Sequence, residues 1–166
     1  MTNAIRILGL DPGLRRTGWG VVSVDGSRLS HIAHGVICPD ETLSLAERLV
    51  ILLDGIEAVI AAHGPHEAAV EETFVNSNPS STLKLGHARA AALIAPSRAG
   101  QEAVEARSIL AGLAFDMQQQ LVAHGRQARQ GARTAAHQIA DAADALAVAI
   151  THAHARRSPA VRRGAA

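Results

Sequence analysis

Aromatic residues are nearly missing from this chain: two phenylalanines, one tryptophan and no tyrosine in 166 residues. Any core must therefore be aliphatic, and with hydrophobic residues at 48% there is enough Leu, Ile, Val and Ala to build one of single-domain size. A single cysteine, Cys38, excludes an intrachain disulfide framework. No apolar run reaches the roughly 18 residues of a membrane span, and MTNAIRILGL at the start lacks the layout of a secretory signal. These absences predict a cytoplasmic protein with no membrane partner. Lysine is scarce too: Lys84 is the only one, so arginine carries nearly all the positive charge. A net charge of +1 does not by itself announce nucleic acid, but the distribution is uneven, with seven arginines against Asp141 and Asp144 from Arg126 onward. Arginine's planar fork suits phosphate, although an arginine-favouring codon usage gives the same composition.

The apolar patterns predict the elements. Residues 5–10 form an apolar run that ends at the turn Asp11-Pro12-Gly13. Residues 19–24 and 29–37 read as two more strands, joined by a hairpin turn at Asp25-Gly26-Ser27. Leu43, Leu45, Leu49, Leu52, Leu53, Ile56, Val59 and Ile60 recur at helical spacing until Gly64-Pro65. A short strand at 68–73 follows. A polar turn at 76–81 then offers Ser80 or Ser81 as a cap for a helix over 82–95 that stops near Pro96. Residues 103–106 suggest a fifth strand, and a last helix spans 140–155. The domain is expected to occupy 1–156, with 157–166 as a basic, disordered tail. A right-handed crossover after the third strand puts the fourth parallel to the first. The expected class is α/β, a mixed five-stranded sheet whose first three strands are antiparallel, flanked by helices.

Four acids stand out in this frame. Asp11 lies just past the carboxyl end of the first strand and Glu71 toward the carboxyl end of the fourth, and adjacent parallel strands present those ends at one crevice. Asp141 and Asp144 are three apart in an alanine-rich helix, hence on one face. No basic residue lies beside them in sequence. Carboxylates gathered this way repel one another, and a divalent cation relieves the repulsion; hard oxygen donors favour Mg²⁺ or Mn²⁺. Singly, each acid has a plainer reading: Asp11 as a turn former, Asp141 as a helix N-cap. Glu71 and Glu72 are neighbours that point to opposite sheet faces, and spacing alone does not choose between them.

Three segments, ILGLDPGLRRTGWGVV at 7–22, AVEETFVNSNPSSTLKLGHARA at 69–90 and ADAADALAVAITHAHA at 140–155, closely resemble the RuvC family of Holliday-junction resolvases. The resemblance covers about 1–100 and 139–156. It implies a ribonuclease H-like fold and an endonuclease that resolves four-way DNA junctions in recombination and repair. It places the metal-binding, catalytic acids at Asp11, Glu71, Asp141 and Asp144, with Glu71 chosen over Glu72 because Phe74 follows three residues later. It implies two Mg²⁺ ions per subunit with Mn²⁺ able to substitute, hydrolysis by paired symmetric nicks, a homodimer matched to the two-fold junction, and cooperation with a branch-migration complex of the RuvA and RuvB type. Phe74 would wedge bases apart at the junction centre. Arg15, Arg16, Lys84 and Arg89 would contact backbone phosphates.

Residues 101–138 depart from the family pattern. Relatives carry a Gly-rich stretch with two lysines there, whereas residues 101–138 of this chain contain no lysine and no Gly-x-Gly. Ile109, Leu110, Leu113, Met117 and Leu121 make an apolar helical stripe instead, followed by Arg126, Arg129 and Arg133. Ala90 stands where the family usually has glycine. Arginines substituting for the lysines, or a compensated reading-frame slip, both explain the change. The alternatives to an active resolvase are a junction-binding module with weakened catalysis, an actin-like phosphate-binding ATPase suggested by Asp11-Pro12-Gly13 with Thr17-Gly18, and a ribonuclease H-like enzyme acting on RNA.

Overall fold

A computed structural model describes residues 4–72, 79–106 and 132–155. The elements are β1 (Ile5–Asp11), β2 (Thr17–Asp25), β3 (Arg28–Ile37), α1 (Leu45–His63), β4 (Glu67–Glu71), α2 (Pro79–Arg98), β5 (Glu102–Ala106) and α3 (Ala132–Ala155). They build one five-stranded sheet in the order β3-β2-β1-β4-β5. β1, β2 and β3 pair antiparallel, and β4 joins β1 in parallel, as does β5 with β4. This is the predicted mixed sheet.

Local chemistry sets the boundaries. The β2–β3 hairpin closes on the pair Asp25↔Arg28, with Gly26 at φ 53°. Helix α1 begins after Ser44, whose hydroxyl accepts from the Glu47 N–H while the Glu47 carboxylate accepts from the Ser44 N–H, a reciprocal cap. It ends at Gly64, left-handed at φ 51°, whose N–H donates to the Ile60 carbonyl at 2.8 Å. Helix α2 overruns its expected limits at both ends. Pro79 takes the first position, where a missing N–H costs nothing. Pro96 lies inside the helix, where it lacks the N–H that would donate to the Ala92 carbonyl, yet the helix runs on to Arg98 and the chain turns away at Gly100, φ 72°. Helix α3 begins at Ala132 rather than near 140, so Asp141 lies well inside it and is not an N-cap.

Helices cover both faces of the sheet. On one side Leu8, Leu10, Val21, Ala68 and Val70 pack with Ile56, Val59 and Ile60 of α1 and Ala92 and Ala95 of α2. On the other, Ile7 and Val22 pack with Leu146, Ala149 and Ala153 of α3, and Ala69 packs with Val148. Trp19 sits against the first cluster, its ring centroid 5.5 Å from that of His63. The seam between β1 and β4 is pinned at its start by His66: its N–H donates to the Arg6 carbonyl at 2.8 Å and its Nδ1 accepts from the Arg6 N–H at 2.9 Å.

Candidate active site

Strand alternation decides which acids meet. In β1, Ile7 and Gly9 face α3 while Leu8 and Leu10 face α1 and α2; the next residue, Asp11, therefore points to the α3 side. In β4, Ala69 faces α3 and Val70 the other way, so Glu71 shares the face of Asp11, while Glu72 lies past the end of the strand. The parallel register pairs Leu10 with Val70, which places Asp11 beside Glu71. The side chains of Asp11 and Glu71 hydrogen-bond each other.

Two glycines bring α3 down to meet them. A Cβ at Gly9 would stand 2.0 Å from the Ala145 carbonyl oxygen, and one at Gly18 would stand 1.9 Å from the carbonyl oxygen of Asp141. The helix thus lies on the bare backbone of β1 and β2. Its opposite end is tied to the same strand that carries Glu71: His152 Nε2 lies 2.8 Å from Glu67 Oε2, and both groups are largely buried. The turn that follows Asp11 is also held. The buried Thr17 hydroxyl donates to the Gly13 carbonyl at 2.9 Å and accepts from the Gly13 N–H at 3.2 Å, and Arg48 of α1 donates to the Leu14 carbonyl at 2.8 Å.

The electrostatics record the crowding. The Asp11 carboxyl is pushed up from 3.8 to about 8, first by burial, then by the hydrogen bond and the charge of Glu71, then by the charge of Asp141. Asp144 is pushed up to about 6 by burial and by the charges of Asp11 and Asp141. The four sequence-nominated acids therefore feel one another across three elements. A basic partner absent from the local sequence also arrives: Arg16 Nε lies 2.9 Å from Asp141 Oδ2. Four hard carboxylate donors with surplus negative charge fit a divalent cation in kind. They are not a ready-made cage, since among the described residues no three His, Cys, Asp or Glu side chains are arranged to hold an ion.

Residues 7–152 match the family model of crossover junction endodeoxyribonuclease RuvC. The chain belongs to the RuvC family. The RuvC of Caulobacter sp. (strain K31) is 59% identical, with 92% of this chain and 91% of that protein covered; the RuvC of Caulobacter vibrioides is 57% identical over 91% and 90%. Among solved structures, T. thermophilus RuvC in complex with a Holliday junction substrate superposes with a TM-score of 0.72 at 25% identity, covering 92% of this chain and 96% of the other. The yeast mitochondrial Holliday junction resolvase Ydc2, at 13% identity and a TM-score of 0.56, shares the fold. The architecture is thus the ribonuclease H-like one that the RuvC resemblance implies.

The residues nominated for DNA contact in this RuvC chain are dispersed. Arg15 is exposed and its Nε lies 2.9 Å from Glu41 Oε2. Lys84 is exposed and Arg89 half-buried on α2, the helix that packs on the sheet face opposite α3. Phe74 lies outside the described residues, as do the apolar stripe from Ile109 to Leu121, Arg107, Arg126, Arg129 and the tail at 157–166. Sequence reasoning missed Gly9, His66 and the Glu67–His152 pair, because each acts through a partner distant in the chain. The Ser44-x-x-Glu47 cap was readable. Among the described residues no helix is long and apolar enough to cross a membrane.

Proposed function

We propose that this chain is an active nuclease that resolves four-way DNA junctions by paired symmetric nicks, with Asp11, Glu71, Asp141 and Asp144 as its metal-holding catalytic acids. The observation that carries this reading is the placement of those four carboxylates on the α3 face, where burial first and then Glu71 and Asp141 push the Asp11 carboxyl to about 8 and the charges of Asp11 and Asp141 add to burial in raising Asp144. Mg²⁺, two ions per subunit and replaceable by Mn²⁺, is the cofactor this donor set favours. When bound, the cations would supply activation of water for attack on phosphorus and charge relief at the leaving 3′-oxygen.

The protein's own part is positioning. β1 and β4 hold Asp11 and Glu71 side by side, and the glycine seats of α3 hold Asp141 and Asp144 against them. Loading the site requires the Asp11 carboxyl to give up its proton and Arg16 to release Asp141, after which Arg16 is free to meet a phosphate. Lys84, Arg89 and Arg15 would grip the backbone and Phe74 would enter the junction centre. Two such sites in a homodimer match the two-fold symmetry of the junction. The partners would be junction DNA and a RuvA–RuvB branch-migration complex, in the cytoplasm where the chromosome recombines.

The test is cleavage of a synthetic four-way junction with Mg²⁺ or Mn²⁺ by wild type and Asp11→Asn, beside a gel-shift control. Paired nicks at opposing strands that vanish in Asp11→Asn are expected. Tight junction binding without cutting by the wild type would overturn the nuclease reading in favour of a junction-binding module. Equal cutting of RNA–DNA hybrids would overturn the junction specificity.

A further inference from the structure

A second cluster of ligand-type side chains lies on the edge strand, two strands away from Asp11. β2 and β3 keep one register from Thr17↔Ile37 to Val21↔Ala33 and a different one from Val22↔His31 to Asp25↔Arg28. Ile32 is the residue without a partner, so a β-bulge sits there. The bulge has a stereochemical consequence. In a regular strand, residues three apart point to opposite faces. Here His31 is paired with Val22 and His34 with Gly20. Val22 packs in the α3-side cluster, and a Cβ at Gly20 would strike Leu146 of α3. Cross-strand partners share a face, so the inserted residue brings both imidazoles to the same side of the sheet.

They meet there. His31 Nε2 and His34 Nδ1 are 2.9 Å apart, with ring centroids 5.0 Å apart and planes at 53°. Both rings are exposed, so water and ions reach them. The pair has no charged function in the site already described. Burial and the neighbouring His31 hold His34 below the ordinary histidine range, which keeps a nitrogen lone pair available at neutral pH. A neutral pair offers two facing nitrogens once the single proton between them moves to a ring's outer nitrogen, a tautomer change that releases no proton to solvent.

The donor type selects the ion. Two imidazole nitrogens bonded at about 2.0–2.1 Å to one ion stand about 2.9–3.3 Å apart, so rings already in hydrogen-bond contact reach one ion by turning about their side-chain bonds. For nitrogen donors the affinity of first-row dications peaks at Cu²⁺. Imidazole is also a poor ligand for Mg²⁺, so this pair and the carboxylates would sort ions by hardness.

We propose that His31 and His34 form a two-nitrogen binding site for a transition-metal dication, Cu²⁺ ahead of Ni²⁺ and Zn²⁺, created by the bulge at Ile32. Among the described residues no third His, Cys, Asp or Glu completes a cage, so water fills the other positions and binding is reversible. An ion held by both rings bridges the two sides of the bulge and stiffens the edge of the sheet.

The experiment titrates Cu²⁺ into the full-length chain with Mg²⁺ in large excess to occupy the carboxylates, and reads the copper by electron paramagnetic resonance. His31→Asn, His34→Asn and, as a control on an exposed α2 position, His87→Asn are titrated in parallel, with circular dichroism as the check on folding. The expected result is one tightest site per chain with a two-imidazole signature. Each of His31→Asn and His34→Asn should weaken it by at least about tenfold and leave one coupled nitrogen, while His87→Asn changes nothing. A tightest site that survives in folded His31→Asn and His34→Asn, or one that His87→Asn weakens equally, would overturn the proposal.

Discussion

The two faces of the sheet are built on opposite rules. The face under α1 and α2 is filled by large aliphatic side chains: Leu8, Leu10, Val21, Ile56 and Ile60. The face under α3 also buries Ile7, Val22 and Leu146, but beside the acids it is pared down to Gly9, Gly18, Ala145 and Ala149, so that backbone touches backbone there. Bulky residues bury more area and stabilise more strongly, but they hold a helix at arm's length. Small residues give up some of that burial and gain closeness, which is what brings Asp141 and Asp144 within electrostatic reach of Asp11. One face supplies stability and the other supplies a short, fixed distance between like charges.

The largest effect should come from removing a charge on the α3 face. Mutating mere outer-shell partners of a metal costs roughly 10–100-fold, so Asp11→Asn, at a proposed ligand, should lower junction cleavage by at least about 100-fold. Single-turnover kinetics would show this, and a smaller loss would remove Asp11 from the centre.

A pair of packing variants then breaks the comparison directly. Gly9→Val pushes α3 off its seat, and overpacking of this kind costs about 1–3 kcal/mol; its Mn²⁺ affinity, by calorimetric titration, should fall with it. Ile56→Ala on the opposite face should cost about 2–5 kcal/mol in urea unfolding, yet the folded protein should bind Mn²⁺ as the wild type does. If Ile56→Ala weakens the metal as much as Gly9→Val, the faces do not divide their labour.

The metal-free protein should also show a pH slope that belongs to the α3 face. The folded-state values of Asp11, about 8, and Asp144, about 6, both lie above the ordinary 3.8. Their stabilising contribution is therefore complete below about pH 4 and is lost as pH rises through 6 and then 8. Calorimetry in chelator should find the melting temperature falling across that window. Asp11→Asn should flatten the fall and melt above the wild type at pH 8, and saturating Mg²⁺ should reduce the slope.

The smallest effect concerns Arg16. Its guanidinium stands on Asp141 and competes with an incoming cation, so Arg16→Gln should tighten Mn²⁺ binding a few-fold while weakening junction binding in a gel shift. Unchanged metal affinity would mean that the ion pair is incidental, as many half-exposed pairs are.

Much of this was legible in the residues. Asp11-Pro12-Gly13 ends an apolar run, and Asp141 and Asp144 share a helical face. The choice of Glu71 over Glu72 was not readable from pattern: β4 is buried on both faces, so Ala68, Ala69 and Val70 are all apolar and the alternation that reveals a strand's faces is erased. The start of α3 was hidden because it falls at the edge of the unusual 101–138 stretch. The reach of α2 was underestimated because Pro96 reads as a breaker, although the helix gives up that one hydrogen bond and runs two residues further, to Arg98. Arg16–Asp141 and Glu67–His152 join residues 125 and 85 positions apart, and no local rule sees such pairs.

The seam between β1 and β4 has an evolutionary corollary. Sliding β4 by one residue against β1 would turn Glu71 away from Asp11 and bring the wrong glutamate inward. The chain enters β4 through Gly64-Pro65-His66, and His66 locks the first rung with both its backbone and its ring. A single-residue insertion or deletion there would take Glu71 away from Asp11 while leaving the fold intact. The hairpin tip at Gly26, where an added Cβ meets nothing within 4 Å although φ is positive, lies off that seam, so a change there leaves the pairing of Asp11 with Glu71 in register.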